Sequence, residues 1–126
     1  MQQKCRILLV EDSELARQVA KEYLIDLGYK NVIEASDGLI AFMRLQKLKI
    51  DLIISDWEMP RMDGLELLKK IKNIDKLSHI PFIILTAVDS REKVIQAIRA
   101  GAKSYIVKPV SPEILKEKVE NAFSDT

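Results

Sequence analysis

The sequence predicts an α/β fold, a five-stranded parallel sheet doubly wound with helices on both faces, from three observations. Short apolar runs rich in Val, Ile and Leu recur from end to end, too brief for helices and continuous enough for strands buried on both sides. Between them lie longer stretches whose apolar residues return every three or four positions. Helix caps and glycine stops mark the joins. Strands that alternate with helices in this way pair in parallel through right-handed crossovers.

Cys5 to Val10 is the first strand. The helix from Ser13 to Leu27 places Leu15, Val19, Tyr23 and Leu27 along one face, and Gly28 ends it. A shorter strand, Asn31 to Ala35, runs into Asp37 and Gly38, which turn the chain into a helix carrying Leu39, Ile40, Met43 and Leu48. The third strand, Leu52 to Ser55, has the β-branched content of a fully buried strand and delivers a carboxylate, Asp56, at its carboxyl end. Trp57, Glu58, Met59 and Pro60 form a loop. Asp63 with Glu66 then makes a capping box that opens a helix from Gly64 to about Asn73, burying Leu65, Leu68 and Ile71. Pro81 precedes the strand Phe82 to Leu85, a position where a missing N–H is tolerated. Asp89 and Glu92 repeat the capping-box spacing before a helix with Val94, Ala97 and Ile98, closed by Gly101. The last strand, Ser104 to Val107, runs into Lys108. Ser111 caps the final helix, Pro112 takes its first position, and Leu115, Val119 and Ala122 form its buried stripe.

A chain of 126 residues that is 48% hydrophobic fills one core and one domain. Its net charge of +1 gives no field that would argue for nucleic acid or an anionic membrane. The one cysteine, Cys5, sits in the first apolar run, so no disulfide forms within the chain; a reducing compartment is the expectation and Cys5 reads as core. No apolar run approaches the ~20 residues of a membrane span, and the N-terminus lacks the layout of a signal peptide. The expectation is a soluble cytoplasmic protein with no membrane insertion. The sole histidine, His79, reads as a solvated loop residue. Lys69, Lys70 and Lys72 lie opposite their helix's apolar stripe and read first as a solvated face, second as a docking surface.

Parallel strands share a carboxyl edge, and there this chain places Glu11 and Asp12, Ser36, Asp56, Thr86 and Lys108. Carboxylates crowded in one crevice repel each other by several kcal/mol at short range and intermediate dielectric, so a counter-charge is needed. Lys108 supplies one charge, and a divalent cation would supply the rest. Oxygen ligands without a Cys and His cluster favour Mg²⁺ over zinc. Taken singly, each residue has a plainer reading: Asp12 as a helix N-cap, Thr86 in a turn, Lys108 in solvent. Their joint occurrence at the strand ends points instead to a phosphoryl-handling site with Asp56 as nucleophile, Thr86 as hydroxyl donor and Lys108 as cation.

On these residues the sequence resembles the receiver domain of bacterial two-component response regulators, and within them the CheY-like single-domain chemotaxis regulators. L-V-E-D-S carries the acidic pair Glu11 and Asp12; D-W-E-M-P-R-M-D-G-L-E-L-L carries the acceptor loop with Asp56; L-T-A carries Thr86; A-G-A-K-S-Y-I-V-K-P carries Tyr105, Lys108 and Pro109. The resemblance covers essentially the whole chain, one receiver domain over residues 1–126, and implies a flavodoxin-like strand order of 2-1-3-4-5. It implies that Asp56 takes a phosphoryl group from a sensor histidine kinase, with Mg²⁺ held by Asp12, Asp56 and the backbone carbonyl of Glu58 and assisted by Glu11 through water. It further implies a cis bond before Pro109, movement of Thr86 toward the phosphoryl oxygens, and inward rotation of Tyr105. These changes would remodel the face made by the fourth helix, fifth strand and fifth helix, read by a phosphorylation-dependent target of which a flagellar switch protein is one candidate. Two positions depart from the common pattern: Glu58, where relatives often carry Asn, and Val110, where they often carry Phe.

The expected function is therefore a signalling switch and not an enzyme beyond its own phosphorylation and dephosphorylation. One rival is a receiver module of a hybrid kinase or another pathway, although Met1 and the polar ending Ser124-Asp125-Thr126 are what a complete chain would have. The enzyme rival is a Mg²⁺-dependent phosphatase of the haloacid dehalogenase type. That class carries its nucleophile on the first strand with a second Asp two residues on, where this chain has Glu58.

Overall fold

The computed structural model describes residues 4–87 and 90–124. Strands and helices alternate as β1 (Arg6–Val10), α1 (Glu14–Asp26), β2 (Asn31–Ala35), α2 (Gly38–Lys47), β3 (Leu52–Asp56), α3 (Gly64–Lys72), β4 (Phe82–Thr86), α4 (Arg91–Ala100), β5 (Ser104–Val107) and α5 (Pro112–Ser124). All four pairings are parallel and the strand order is β2-β1-β3-β4-β5, as the sequence led us to expect.

Alternation along each strand divides the core in two. Leu8, Val10, Ile53, Phe82 and Ile84 face one way and meet Ala41 and Leu45 of α2, Leu67, Leu68 and Ile71 of α3, and Ala97 of α4. Ile7, Leu9, Leu52, Ile54, Ile83, Leu85 and Ile106 face the other way, under Ala20 and Leu24 of α1 and Leu115, Val119 and Ala122 of α5. β3 and β4 are buried along their whole length, which is why they read as unbroken apolar runs.

The buried stripe of α5 is the one expected, whereas those of α1 and α3 differ. In α1 the buried residues are Ala20 and Leu24, whereas Leu15 is 77% exposed and Val19 is exposed too. The sequence stripe was set one residue, about 100°, off axis. The small Ala20 beside Leu24 lets α1 lie close to the sheet. In α2, likewise, Gly38, Ala41 and Leu45 are buried while Leu39 and Met43 are exposed. In α3 Leu67 joins Leu68 and Ile71 in the core and Leu65 is only partly buried. In α4 only Ala97 is buried, and Ile98 is exposed.

Cys5 lies just before β1 at intermediate burial and is not core. Lys72 is not fully solvated either: its ammonium donates to the Ser78 carbonyl at 2.9 Å, and burial lowers its pKa. His79 is exposed as expected.

The caps mostly follow the sequence. Asp63 and Glu66 form both halves of the capping box on α3, and Gly28 and Gly101 take the left-handed conformation that closes α1 and α4. Ser90, not Asp89, caps α4, accepting the Lys93 N–H at 3.5 Å; Asp89 lies outside the described residues. The bond between Lys108 and Pro109 is cis.

Gly64 fixes how α3 leaves the sheet. Its N–H donates to the Trp57 carbonyl at 2.7 Å, and a Cβ there would overlap the Asp56 carbonyl oxygen. The clash is with backbone and cannot be relieved by rotating a side chain. Gly64→Ala is therefore expected to cost about 2–3 kcal/mol, read as a lower urea midpoint at unchanged slope. A variant as stable as the parent would show that the loop has slack the packing does not suggest.

Candidate functional site

β1 and β3 are neighbours in the sheet, so Glu11 and Asp56, each at a carboxyl end, are brought together by register alone. The Glu11 N–H donates to the Ala35 carbonyl at 3.1 Å, and Arg17 donates to the Glu11 carbonyl at 2.7 Å, which fixes the backbone that carries the side chain. Asp56 is held as tightly. The Trp57 N–H, which also donates to the Leu85 carbonyl, donates to Asp56 Oδ1 at 2.9 Å.

Lys108 reaches in from the end of β5. Its Nζ lies 2.7 Å from Glu11 Oε1 and 3.1 Å from Asp56 Oδ2, one ammonium between two carboxylates. Glu11 and Asp56 are both buried. Burial opposes ionisation of Glu11, yet hydrogen bonds from Lys108 and the Ser13 N–H hold its carboxyl below the usual range. Asp56 goes the other way: burial first, then the Glu11 charge, push its pKa up from 3.8 to about 6 despite Lys108. Burial alone would lower the pKa of Lys108, but its bonds to Glu11 and Asp56 raise it.

Asp12 completes the cluster. Single oxygens of Glu11, Asp12 and Asp56 lie within 4.8 Å of one another, with Asp12 exposed at the rim. Asp12 is not the helix cap that its position allowed; Ser13 caps α1 by accepting the Ala16 N–H at 3.2 Å. Three oxygen donors converging around one under-neutralised charge fit a hard divalent cation and not a softer metal.

Thr86 is buried at the end of β4, one residue beyond Leu85, the register partner of Asp56, and its carbonyl accepts the Lys108 N–H at 2.7 Å. Tyr105 is half-buried on β5, paired in register with Ile84. Ser36 does not join the acids; it lines a separate cavity of about 290 Å³ with Arg17 and Glu34. A larger cavity of about 580 Å³ borders the site itself, walled by Leu15, Val19, Tyr23 and Val110 and reaching Glu11 and Lys108.

Two residues were missed. Lys93 on α4 lies 3.6 Å from Glu58 Oε2 and 5.0 Å from the centre of the Trp57 ring, tying α4 to the loop after Asp56. Arg61 grips Asp37 from the same loop. Neither stands in a local motif with its partner, so only the fold shows the pairing.

A family model described as the response regulator receiver domain matches residues 7–120. The chain is 43% identical over 118 residues to the chemotaxis protein CheY-3 of Vibrio cholerae, covering 94% of this chain and 91% of that protein. It is 39% identical over 118 residues to the chemotaxis protein CheY of Pseudomonas aeruginosa, covering 94% and 95%. Among solved structures, CheY4 of Vibrio cholerae superposes with a TM-score of 0.87 at 36% identity, covering 94% of this chain and 98% of that one. The signal receiver domain of a signal transduction histidine kinase from Syntrophus aciditrophicus gives 0.88 at 34% identity, covering 97% and 92%.

The electrostatics make a pH prediction. Asp56 holds its proton more tightly folded, at about 6, than at the ordinary value of 3.8, so its contribution to stability is complete below about pH 4 and is lost as pH rises through about 6. Asp56→Asn removes that cost and keeps the shape. With Mg²⁺ chelated, the variant is expected to be more stable than the parent by about 1–2 kcal/mol at neutral pH, with the difference closing toward pH ~4. Urea unfolding at the two pH values is the measurement, and a less stable variant at neutral pH would contradict the assigned strain.

Proposed function

Because the chain belongs to the response regulator receiver family, we propose that it is a phosphorylation-controlled switch whose acceptor is Asp56, working in the cytoplasm as one receiver domain over residues 1–126. The observation that carries this reading is the buried Asp56 carboxylate at the tip of β3, with the Lys108 ammonium 3.1 Å away and two further acids beside it. In the reaction an ionised Asp56 oxygen attacks the phosphorus of a phosphohistidine on a sensor kinase. The O–P bond forms as the P–N bond breaks, and the electron pair stays on the imidazole nitrogen. Lys108 neutralises charge on the phosphoryl oxygens and stays ionised because Glu11 and Asp56 raise its pKa.

Asp12, Asp56 and the Glu58 carbonyl would hold Mg²⁺, with Glu11 assisting through water. Bound there, the ion supplies charge neutralisation that the single ammonium does not provide. The kinase would rest against the cavity walled by Leu15, Val19 and Val110, since that cavity opens onto Lys108.

Once phosphorylated, Asp56 carries close to two negative charges and new acceptor oxygens. Thr86, at the next strand end, donates to them, and its displacement lets Tyr105 turn inward, changing the face of α4, β5 and α5. The names of the relatives favour a target in chemotaxis, a flagellar switch protein among the candidates. The kinase receiver among the structural neighbours favours the other reading, a receiver of a different pathway.

Acetyl phosphate with Mg²⁺ is expected to label the parent stoichiometrically and Asp56→Asn not at all. Thr86→Ala should still be labelled but bind its target at least about tenfold more weakly when phosphorylated, by calorimetric titration. Labelled Asp56→Asn would move the acceptor elsewhere, and equal target affinity would remove Thr86 from the switch.

Glu58 bears on how long the signal lasts. Its carboxylate is 3.6 Å from Lys93; two residues past Asp56, it would stand beside the approach of a water to the phosphorus, where negative charge would disfavour ordered attack. Glu58→Asn is expected to shorten the phosphorylated lifetime by about threefold or more without preventing its formation. The decay after donor removal in excess Mg²⁺ measures it, and an unchanged or slower decay would clear Glu58 of that role.

A further inference from the structure

The geometry points to Arg61 and Asp37 as a clamp that positions the loop between Asp56 and Asp63 for metal binding, a role for two residues that touch neither the ion nor the reacting atoms. It rests on the reading above that the Glu58 carbonyl is a ligand.

Arg61 is the only non-glycine among the described residues with a positive φ, at 66°. An L-residue in that region costs about 1 kcal/mol or more, and Asn or Gly would sit there with less strain. What the arginine contributes in return is its guanidinium. Nε donates to Asp37 Oδ2 at 2.8 Å and Nη2 approaches the same oxygen at 2.6 Å. Asp37 is buried while Arg61 is more than half exposed, so the loop extends its charged group back to an anchored acid.

The anchor is well fixed. Asp37 caps α2, its Oδ1 accepting the Ile40 N–H at 2.9 Å. The next residue, Gly38, donates its N–H to the Met62 carbonyl at 3.0 Å, and a Cβ at Gly38 would overlap that same oxygen. The start of α2 is thereby fastened to the acceptor loop twice, once by backbone and once by the charged pair. At the loop's other end the Trp57 carbonyl accepts from Gly64. Glu58 lies between these fastenings, three residues before Arg61.

A carbonyl ligand has no rotamer with which to find the ion; its position is that of its backbone. Partners that orient a ligand without touching the ion typically change metal affinity tenfold or more, and here the orientation is passed along the three residues from Arg61 to Glu58. The strained Arg61 is thus retained for the pose of the loop and not for its own conformation.

The test is calorimetric titration of metal-free protein with Mg²⁺, no phosphodonor present. Arg61→Asn and Arg61→Gly relieve the backbone strain and delete the clamp, so loss of folding is not the expected confounder. Asp37→Asn keeps the cap and deletes the charge. Each is expected to weaken Mg²⁺ binding about tenfold, and Arg61→Asn combined with Asp37→Asn should lose no more than either alone, because both remove one interaction. Unchanged affinity in the Arg61 variants, or additive losses in the double variant, overturns the clamp. Asp12→Ala separates the two readings: if it too leaves Mg²⁺ affinity unchanged, the metal site itself is wrong, whereas if it alone weakens binding only the clamp fails.

Discussion

The ammonium of Lys108 between Glu11 and Asp56 is the interaction on which the rest of the site depends. A carboxylate buried at a strand tip is costly, and a second one beside it makes the cost larger. One positive charge from β5 holds both acids in place without satisfying them, and the excess falls on Asp56. A neutral, relaxed pocket would make a more stable protein, and the incomplete compensation leaves negative charge that a cation would offset.

The fold supplies the precision. Parallel pairing places Glu11 one residue beyond the register pair of Val10 and Ser55, and Thr86 one residue beyond that of Asp56 and Leu85. The Lys108 N–H donates to the Thr86 carbonyl, so the cation and the hydroxyl share a backbone bond. The loop after Asp56 has no such regular partner, and is held instead by Gly38 and the Arg61–Asp37 pair at the start of α2, by Gly64 of α3 and by Lys93 of α4.

How much of this was legible divides along the same line. The acidic strand ends, Lys108 and the capping box on α3 follow from local pattern, because each depends on residues close in sequence or on the shared direction of strands, whereas the strand order came from the family resemblance. The inner face of α1 did not follow. Ala20 carries little hydrophobic weight, yet a small residue lets a helix approach a sheet, so the stripe through Leu15 and Val19 stands out in the sequence and lies outside in the fold. The contact of Glu11 with Lys108 was not legible either: Glu11 lies inside on the ammonium, and Asp12 stands at the rim. The pairings of Glu58 with Lys93 and of Asp37 with Arg61 span distances in sequence that no local pattern encodes.

β3 is enclosed on both sides from Leu52 to Asp56, and α3 seats Leu67, Leu68 and Ile71 in the core, whereas α4 seats one residue, Ala97. A load applied at Asp56 therefore meets a stiff support on one flank and a compliant one on the other. In a packed interior displacement follows the softer path. β3 is the fixed abutment of the pocket, and α4, seated on the sheet through Ala97, is the element beside it with the least packing to hold it in place.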